Sequence, residues 1–142
     1  MHVCGSMNAL SKWFVGVVGV GLVACGGNTA QLHPSSATPA AEAQVKSQTT
    51  DDGNTRLSLE VEHLAPPDRV AADSSVYVVW AVPRFGDRRP QNLGALKVDN
   101  DLKGKIETIT PLKNFDVMVT PEGNAAAEGP THEAVLSGPI QK

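Results

Sequence analysis

Short stretches of alternating or continuous apolar residues, separated by turns, fill the second half of the chain. Residues 56–64 alternate apolar and polar side chains, which is the period of a strand that buries one face. Residues 75–82 are apolar throughout and predict a central strand buried on both faces. Gly94 interrupts a later stretch, where we expect a β-bulge. The remaining predicted strands are residues 93–98, 105–110, 115–120 and 134–140.

These six strands indicate an all-β domain over residues 54–142. Glycine and proline mark the turns between them, and no segment has an apolar period of 3.6 residues long enough for a helix. We expect a small antiparallel β-sandwich of six or seven strands, of the immunoglobulin or fibronectin type. Residues 25–53 contain few large apolar side chains, and we expect them to form a flexible linker in front of the domain.

The first 24 residues have a different pattern. Lys12 precedes an unbroken run of eleven apolar and glycine residues at positions 13–23. A helix of that length rises about 16 Å, which is too short to cross a bilayer. Residues 1–24 therefore predict a secretory signal peptide that is removed from the mature protein. Translation can begin at Met1 or at Met7, and the sequence leaves both starts open.

The signal ends in Leu22-Val23-Ala24-Cys25, which resembles the lipobox of bacterial lipoproteins. In that family the cysteine thiol receives a diacylglycerol group, the chain is cut before the cysteine, and the new amine is often acylated. A thiol is required because it is the nucleophile of the reaction. The resemblance implies that Cys25 attaches lipid and anchors the protein in the bacterial cell envelope. The residue at position 26, a glycine, favours the outer membrane over the inner one in a Gram-negative cell.

Composition excludes several classes of function. The 142 residues include 12 basic and 15 acidic side chains and only 4% aromatic residues, which does not favour a nucleic-acid partner. The histidines His33, His63 and His132 lie in different segments without a paired spacing. Residues 99–104 lack the ligands of a calcium loop. We therefore expect no metal, no cofactor, no catalytic residue and no enzymatic activity.

One stretch suggests a binding surface. Trp80 lies within the apolar run and is expected in the core. Tyr77 points to the opposite face, where it lies either under a loop or in an exposed apolar patch. Arg84, Arg88 and Arg89 follow; they either contact an anionic glycan or lipid headgroup or form a solvated hairpin tip. The candidate binding surface consists of Tyr77 and these three arginines.

A series of short motifs resembles the extracytoplasmic C-terminal domain of anti-sigma-K-type membrane anti-sigma factors. The resemblance covers about residues 75–138, through motifs at residues 77–80, 92–94, 99–104, 115–123, 129–130 and 135–138. In that family a cytoplasmic segment binds the sigma factor, a transmembrane helix follows, and a β-domain lies outside. We find neither of the first two parts in this sequence, so the resemblance implies only the external module, which has no catalytic residues.

These observations predict a non-enzymatic lipoprotein that is held on a membrane through its lipid. Its β-sandwich domain is expected to serve binding, sensing or envelope structure, with an envelope protein as its partner. The alternative is an accessory component of extracytoplasmic sigma/anti-sigma signalling in envelope stress.

Overall fold

The computed structural model describes residues 27–140, and the predicted signal peptide and Cys25 lie outside the described residues. The described chain is all-β apart from one helical turn, as predicted. All six predicted strands are present, and two further strands precede them. In chain order the elements are β1 (Asn28–Pro34), β2 (Glu42–Thr49), β3 (Thr55–Glu62), α1 (Pro67–Val70), β4 (Val76–Pro83), β5 (Gln91–Leu96), β6 (Gly104–Thr110), β7 (Phe115–Glu122) and β8 (Leu136–Pro139).

The segment expected to be a flexible linker contains β1 and β2, so that prediction was wrong. β1 pairs with β2 along antiparallel residue pairs from Asn28–Ser47 to Leu32–Ala43, and β2 pairs with β3 along its whole length. Within β2, Ala43, Val45 and Ser47 are buried while the residues between them face outward. These small side chains fill the interior without making the segment strongly hydrophobic. The folded unit therefore begins at Asn28 rather than near residue 54.

The eight strands form one antiparallel sheet that nearly closes into a barrel. Their order is β5-β4-β7-β8-β1-β2-β3-β6, and β1 joins the two halves because its last two residues pair with β8. The chain directly after β5 meets the start of β6 at a bridge between Val98 and Gly104, so the two outer strands come together. Glycine permits this approach, since a Cβ at position 104 would lie 2.6 Å from the carbonyl oxygen of Lys97.

The predicted bulge lies in β5. Trp80 of β4 is opposite Asn92, whereas the residue before it is opposite Gly94, so Leu93 is the extra residue. Gly94 has a φ of 132°, which a residue with a side chain rarely adopts. A Cβ there would also lie 3.0 Å from Cδ1 of Ile106 on β6. The bulge thus turns β5 toward the strand that closes the sheet.

β4 is buried on both faces, as its continuous apolar sequence predicted. Tyr77 and Val79 face the interior and pack in the main hydrophobic core. Val78 and Trp80 face outward and are also fully buried. Trp80 is therefore buried as expected, but on the outer face of the sheet. Its neighbour Asn92 is bonded there to the connection between β7 and β8. The main core is completed by Leu32, Ala41, Ala43, Val45, Leu57, Leu59, Val61, Leu64, Ala81, Leu96, Phe115, Val117, Val119, Val135, Leu136 and Ile140.

The strand registers place the connections at two opposite ends. The end at which β1 begins, here named the N-terminal end, carries the β2–β3 turn (50–54), the β4–β5 hairpin tip (84–90), the β6–β7 loop (111–114) and Ile140. The other end, here named the loop end, carries the longer connections at residues 35–41, 63–75, 97–103 and 123–135.

Candidate functional site

Tyr77 does not belong to a binding surface, which corrects that part of the prediction. Its side chain is completely buried, and its hydroxyl donates a hydrogen bond of 2.6 Å to the carbonyl oxygen of Ala65. Burial, followed by the negative charge of Asp68, raises the pKa of Tyr77 to about 12. The residue anchors the connection between β3 and β4 to the core.

The three predicted arginines lie together at the β4–β5 hairpin tip, apart from the buried Tyr77. The Nε atom of Arg84 is 2.9 Å from Oδ1 of Asp116. Arg89 forms a similar pair with Asp87 inside the tip. Arg88 is exposed and makes no ion pair within residues 27–140. Such exposed pairs contribute at most about 1 kcal/mol, so the guanidinium groups remain open to other anions.

A groove of about 950 Å³ lies at the loop end and along the adjoining outer face of β2, β3 and β6. The groove is polar on its strand side because the outward positions of these strands carry charged residues. The carboxylates of Glu60 and Glu62 lie within 4.0 Å of the ammonium groups of Lys105 and Lys103, respectively. The lining also includes Gln31, His33, Pro34, Pro39, Ala40, Glu42, Gln44 and Asp99.

Three potential metal ligands meet at the rim of this groove. Glu42 and Glu62 are directly opposite each other on β2 and β3, and His63 follows with a φ of 55°. One ligand atom from each of the three lies within 4.8 Å of the others. All three side chains are exposed, and Lys103 already approaches Glu62 at 3.9 Å. The cluster offers negative charge to a cation or a basic group, but its ligands are open to water.

Sequence reasoning missed this cluster because it treated residues 25–53 as linker. Only the pairing of β2 with β3 brings Glu42 beside Glu62. Residues 99–104 form a polar turn, as predicted, with Oδ1 of Asp99 accepting hydrogen bonds from the backbone of Asp101 and Lys103. The signal that could have revealed the groove is the alternating pattern of β2, which predicts a strand within the segment assigned as a linker.

A second polar network holds the 123–135 connection against the sheet. The carboxylate of Glu122 is almost fully buried and accepts hydrogen bonds from the Thr120 hydroxyl and from both the backbone and the hydroxyl of Thr131. Burial alone would raise its pKa, but these hydrogen bonds and the nearby His132 hold the pKa of Glu122 below its ordinary value. The indole Nε1 of Trp80 donates to the same Thr120 hydroxyl at 2.8 Å.

Asp73, His132 and Thr131 are hydrogen-bonded in series, and these residue types also occur in catalytic triads. Nε2 of His132 is 2.9 Å from Asp73, and Nδ1 is 2.9 Å from the hydroxyl of Thr131. A nucleophilic hydroxyl must give its proton to the imidazole. Here the ionised Glu122 can only accept, so the hydroxyl of Thr131 donates to that carboxylate instead. The series therefore fastens the connection to the residues before β4.

The side chain of Asn92 fastens the same connection at its other end. Its Nδ2 atom donates to the carbonyl oxygens of Ala125 and Ala127, while Oδ1 accepts from the backbone N–H of Gly94.

Among the described residues, no helix is long and apolar enough to span a membrane. Comparison of the chain with protein-family models, with curated proteins and with solved structures gives no match.

Proposed function

We propose that this protein is a non-enzymatic envelope lipoprotein, attached through lipid at Cys25, whose β-domain binds an envelope protein at its loop end. The observation that carries the proposal is that the proposed lipid attachment site and the groove lie at opposite ends of the domain. β1 begins three residues after Cys25 at the N-terminal end, and the groove lies at the opposite end. Attachment of one end to a membrane leaves the other end accessible to a partner.

The strand side of the groove has the chemistry of a polar recognition surface, while Leu32, Ala41, Ala43 and Val61 add apolar surface to the lining. Glu42, Glu60 and Glu62 supply three carboxylates along one wall, against the ammonium groups of Lys103 and Lys105. Charged side chains of opposite sign favour a partner with complementary charges and select its orientation. Glu42, Glu60, Glu62 and Lys105 stand on paired strands, so this wall of the groove is held in place before binding and loses little entropy on association.

We also propose the finer fold assignment, in which the eight strands form a sandwich of immunoglobulin or fibronectin type. One layer would contain β5-β4-β7-β8 and the other β1-β2-β3-β6. The change of partner within β1, from β2 to β8 after Leu32, supports this division.

Outer-membrane location remains our expectation for a Gram-negative cell, and rests on the glycine after Cys25.

The test is site-specific photo-cross-linking in intact envelopes. A photoreactive amino acid replaces Glu42 at the groove or, as a matched control, Gln48 at the far end of the same strand. Both positions face outward. We expect a discrete protein adduct from position 42 and none from position 48. Equal adducts from both positions, or none from position 42, would exclude the groove as the binding site.

A second candidate function is an accessory role in sigma/anti-sigma signalling. What favours it is the order of the motifs that resemble the external domain of anti-sigma-K-type factors. Most of them fall in β4, β5, β7 and β8, which are neighbours in the sheet. Deletion of the gene should then change the transcription of an extracytoplasmic sigma regulon under envelope stress; an unchanged regulon would exclude this role.

A further inference from the structure

The described domain begins almost directly after the proposed lipid attachment site. Gly27 already runs close along β2, since a Cβ there would lie 3.2 Å from the carbonyl oxygen of Ser47. Asn28 then enters the sheet. Three residue steps from Cys25 to Asn28 reach at most about 10 Å. Lipid at Cys25 would therefore hold the N-terminal end of the domain within about 10 Å of the membrane surface.

The β4–β5 hairpin tip lies at this same end. Pro83, the last residue of β4, is opposite Phe115 at the start of β7. The backbone of Arg84 then donates to the carbonyl oxygen of Asn114, which joins the hairpin tip to the β6–β7 loop. Phe85 follows and is 74% exposed. It is the most exposed large apolar side chain among residues 27–140.

Basic residues surround this exposed phenylalanine. Arg84 and Arg89 are paired with Asp116 and Asp87, while Arg88 and Lys113 make no ion pair within the described chain. The hairpin tip and the β6–β7 loop therefore carry a positive excess. The other acidic groups at the N-terminal end, Asp51 and Asp52, lie in the separate β2–β3 turn.

We propose that the hairpin tip docks on the membrane, with Phe85 inserted at the level of the lipid headgroups and Arg88, Arg89 and Lys113 bound to anionic headgroups. An aromatic ring beside cationic side chains is the combination that binds an anionic interface. The inference rests on the proposed lipid anchor. It adds that the domain lies against the bilayer in one orientation.

The anchor makes such weak docking effective. Each basic residue near an anionic surface strengthens binding about fivefold, which is too little to hold a free protein. A domain tethered within about 10 Å meets the surface at a very high local concentration, so the docked state becomes populated. Docking in turn directs the groove at the loop end away from the membrane.

The experiment attaches the mature chain, residues 25–142, to vesicles chemically. This chain retains every strand of the structure, and Cys25 is its only thiol, so it couples to a maleimide lipid without cellular acylation. In the Phe85→Trp variant, brominated acyl chains should quench the new tryptophan on vesicles that contain phosphatidylglycerol. The control, Ala37→Trp, places an exposed tryptophan at the loop end. Both variants keep the buried Trp80 as a common background.

We expect quenching in Phe85→Trp and none beyond background in Ala37→Trp. Arg88→Glu added to Phe85→Trp should lower the docked-to-undocked ratio at least about fivefold, whereas Lys97→Glu, at the loop end, should leave it unchanged. Background quenching in both tryptophan variants, or equal effects of the two charge reversals, would overturn the docking. Mass spectrometry of cellular Cys25 tests the anchor separately, so failure of one proposal is distinguishable from failure of the other.

Discussion

Asn28 lies opposite Ser47 in the first ladder of the sheet, and only two glycines separate it from Cys25. The strand that follows the proposed lipid attachment is therefore part of the folded domain rather than a tether. β2, which pairs with it, lies between β1 and β3 in the sheet order. The segment once expected to be a linker thus both positions and stabilises the domain.

A chain that begins at Thr50 should fail to fold. It lacks β1 and β2, which leaves the edge of β3 unpaired and exposes the apolar side chains that those strands cover. Circular dichroism and urea denaturation should show a β-rich, cooperatively unfolding protein for a chain that begins at Gly26 and neither property for the shorter one. A cooperative transition with an equal midpoint in the shorter chain would contradict this topology.

The predicted strands and the strands that were missed differ in the size of their buried side chains. In β3, Leu57 and Leu59 make the alternation obvious. β2 has the same alternation, but Ala43 and Ser47 are too small to raise its hydrophobicity. The pattern was present, yet the composition suggested disorder. Recognition of β2 would also have revealed the like-charged pair of Glu42 and Glu62.

Replacement of Tyr77 by phenylalanine should destabilise the domain by about 0.5–1.5 kcal/mol, because it removes the hydrogen bond to the partly buried Ala65. Urea denaturation at neutral pH measures the loss. Tyr77→Leu should cost more, since it also leaves a cavity in the core. Unchanged stability in both variants would mean that Tyr77 is not anchored as described.

The apolar run of β4 explains why the sequence misassigned Tyr77. A strand that is apolar at every position gives no alternation from which to distinguish its inner face from its outer one. Tyr77 was assigned to the exterior side and lies in the main core. Trp80 faces outward and is buried because a connection distant in sequence is fastened over it through Asn92 and Glu122. A local sequence pattern does not reveal burial by a distant segment. The exposed arginines of the hairpin tip, in contrast, could be predicted from the local sequence.

Replacement of Glu122 by glutamine should destabilise the domain by about 1–3 kcal/mol at neutral pH, because an amide group cannot accept every hydrogen bond that the carboxylate does. The pKa of Glu122 is lowered in the folded state, so its contribution is present above about pH 4.3 and is lost as the pH falls through the lowered pKa. The difference between the two proteins should therefore shrink in acid.

Urea denaturation across the acid range provides the measurement. The control is Glu128→Gln, an exposed residue of the same connection, which should match the unaltered protein at every pH. A difference in stability that stays constant from neutral pH into acid would show that the ionised carboxylate is not the stabilising form.

Replacement of Gly104 by alanine should destabilise the closure between β5 and β6 by about 1–3 kcal/mol, because the new methyl group would overlap the carbonyl oxygen of Lys97. Gly129→Ala is the matched control, since nothing lies within 4 Å of a Cβ there. Hydrogen exchange should increase in residues 97–104 of the first variant alone. Equal exchange in both variants would refute the close approach of the two strands.

The central claim is that this β-domain is held on a membrane by lipid at Cys25, and intact mass spectrometry of the protein purified from envelopes tests it most directly. The account predicts a mature chain that begins at Cys25 and carries the mass of a diacylglyceryl group. A mature chain with an unmodified thiol at position 25, or one that retains residues 1–24, would contradict it.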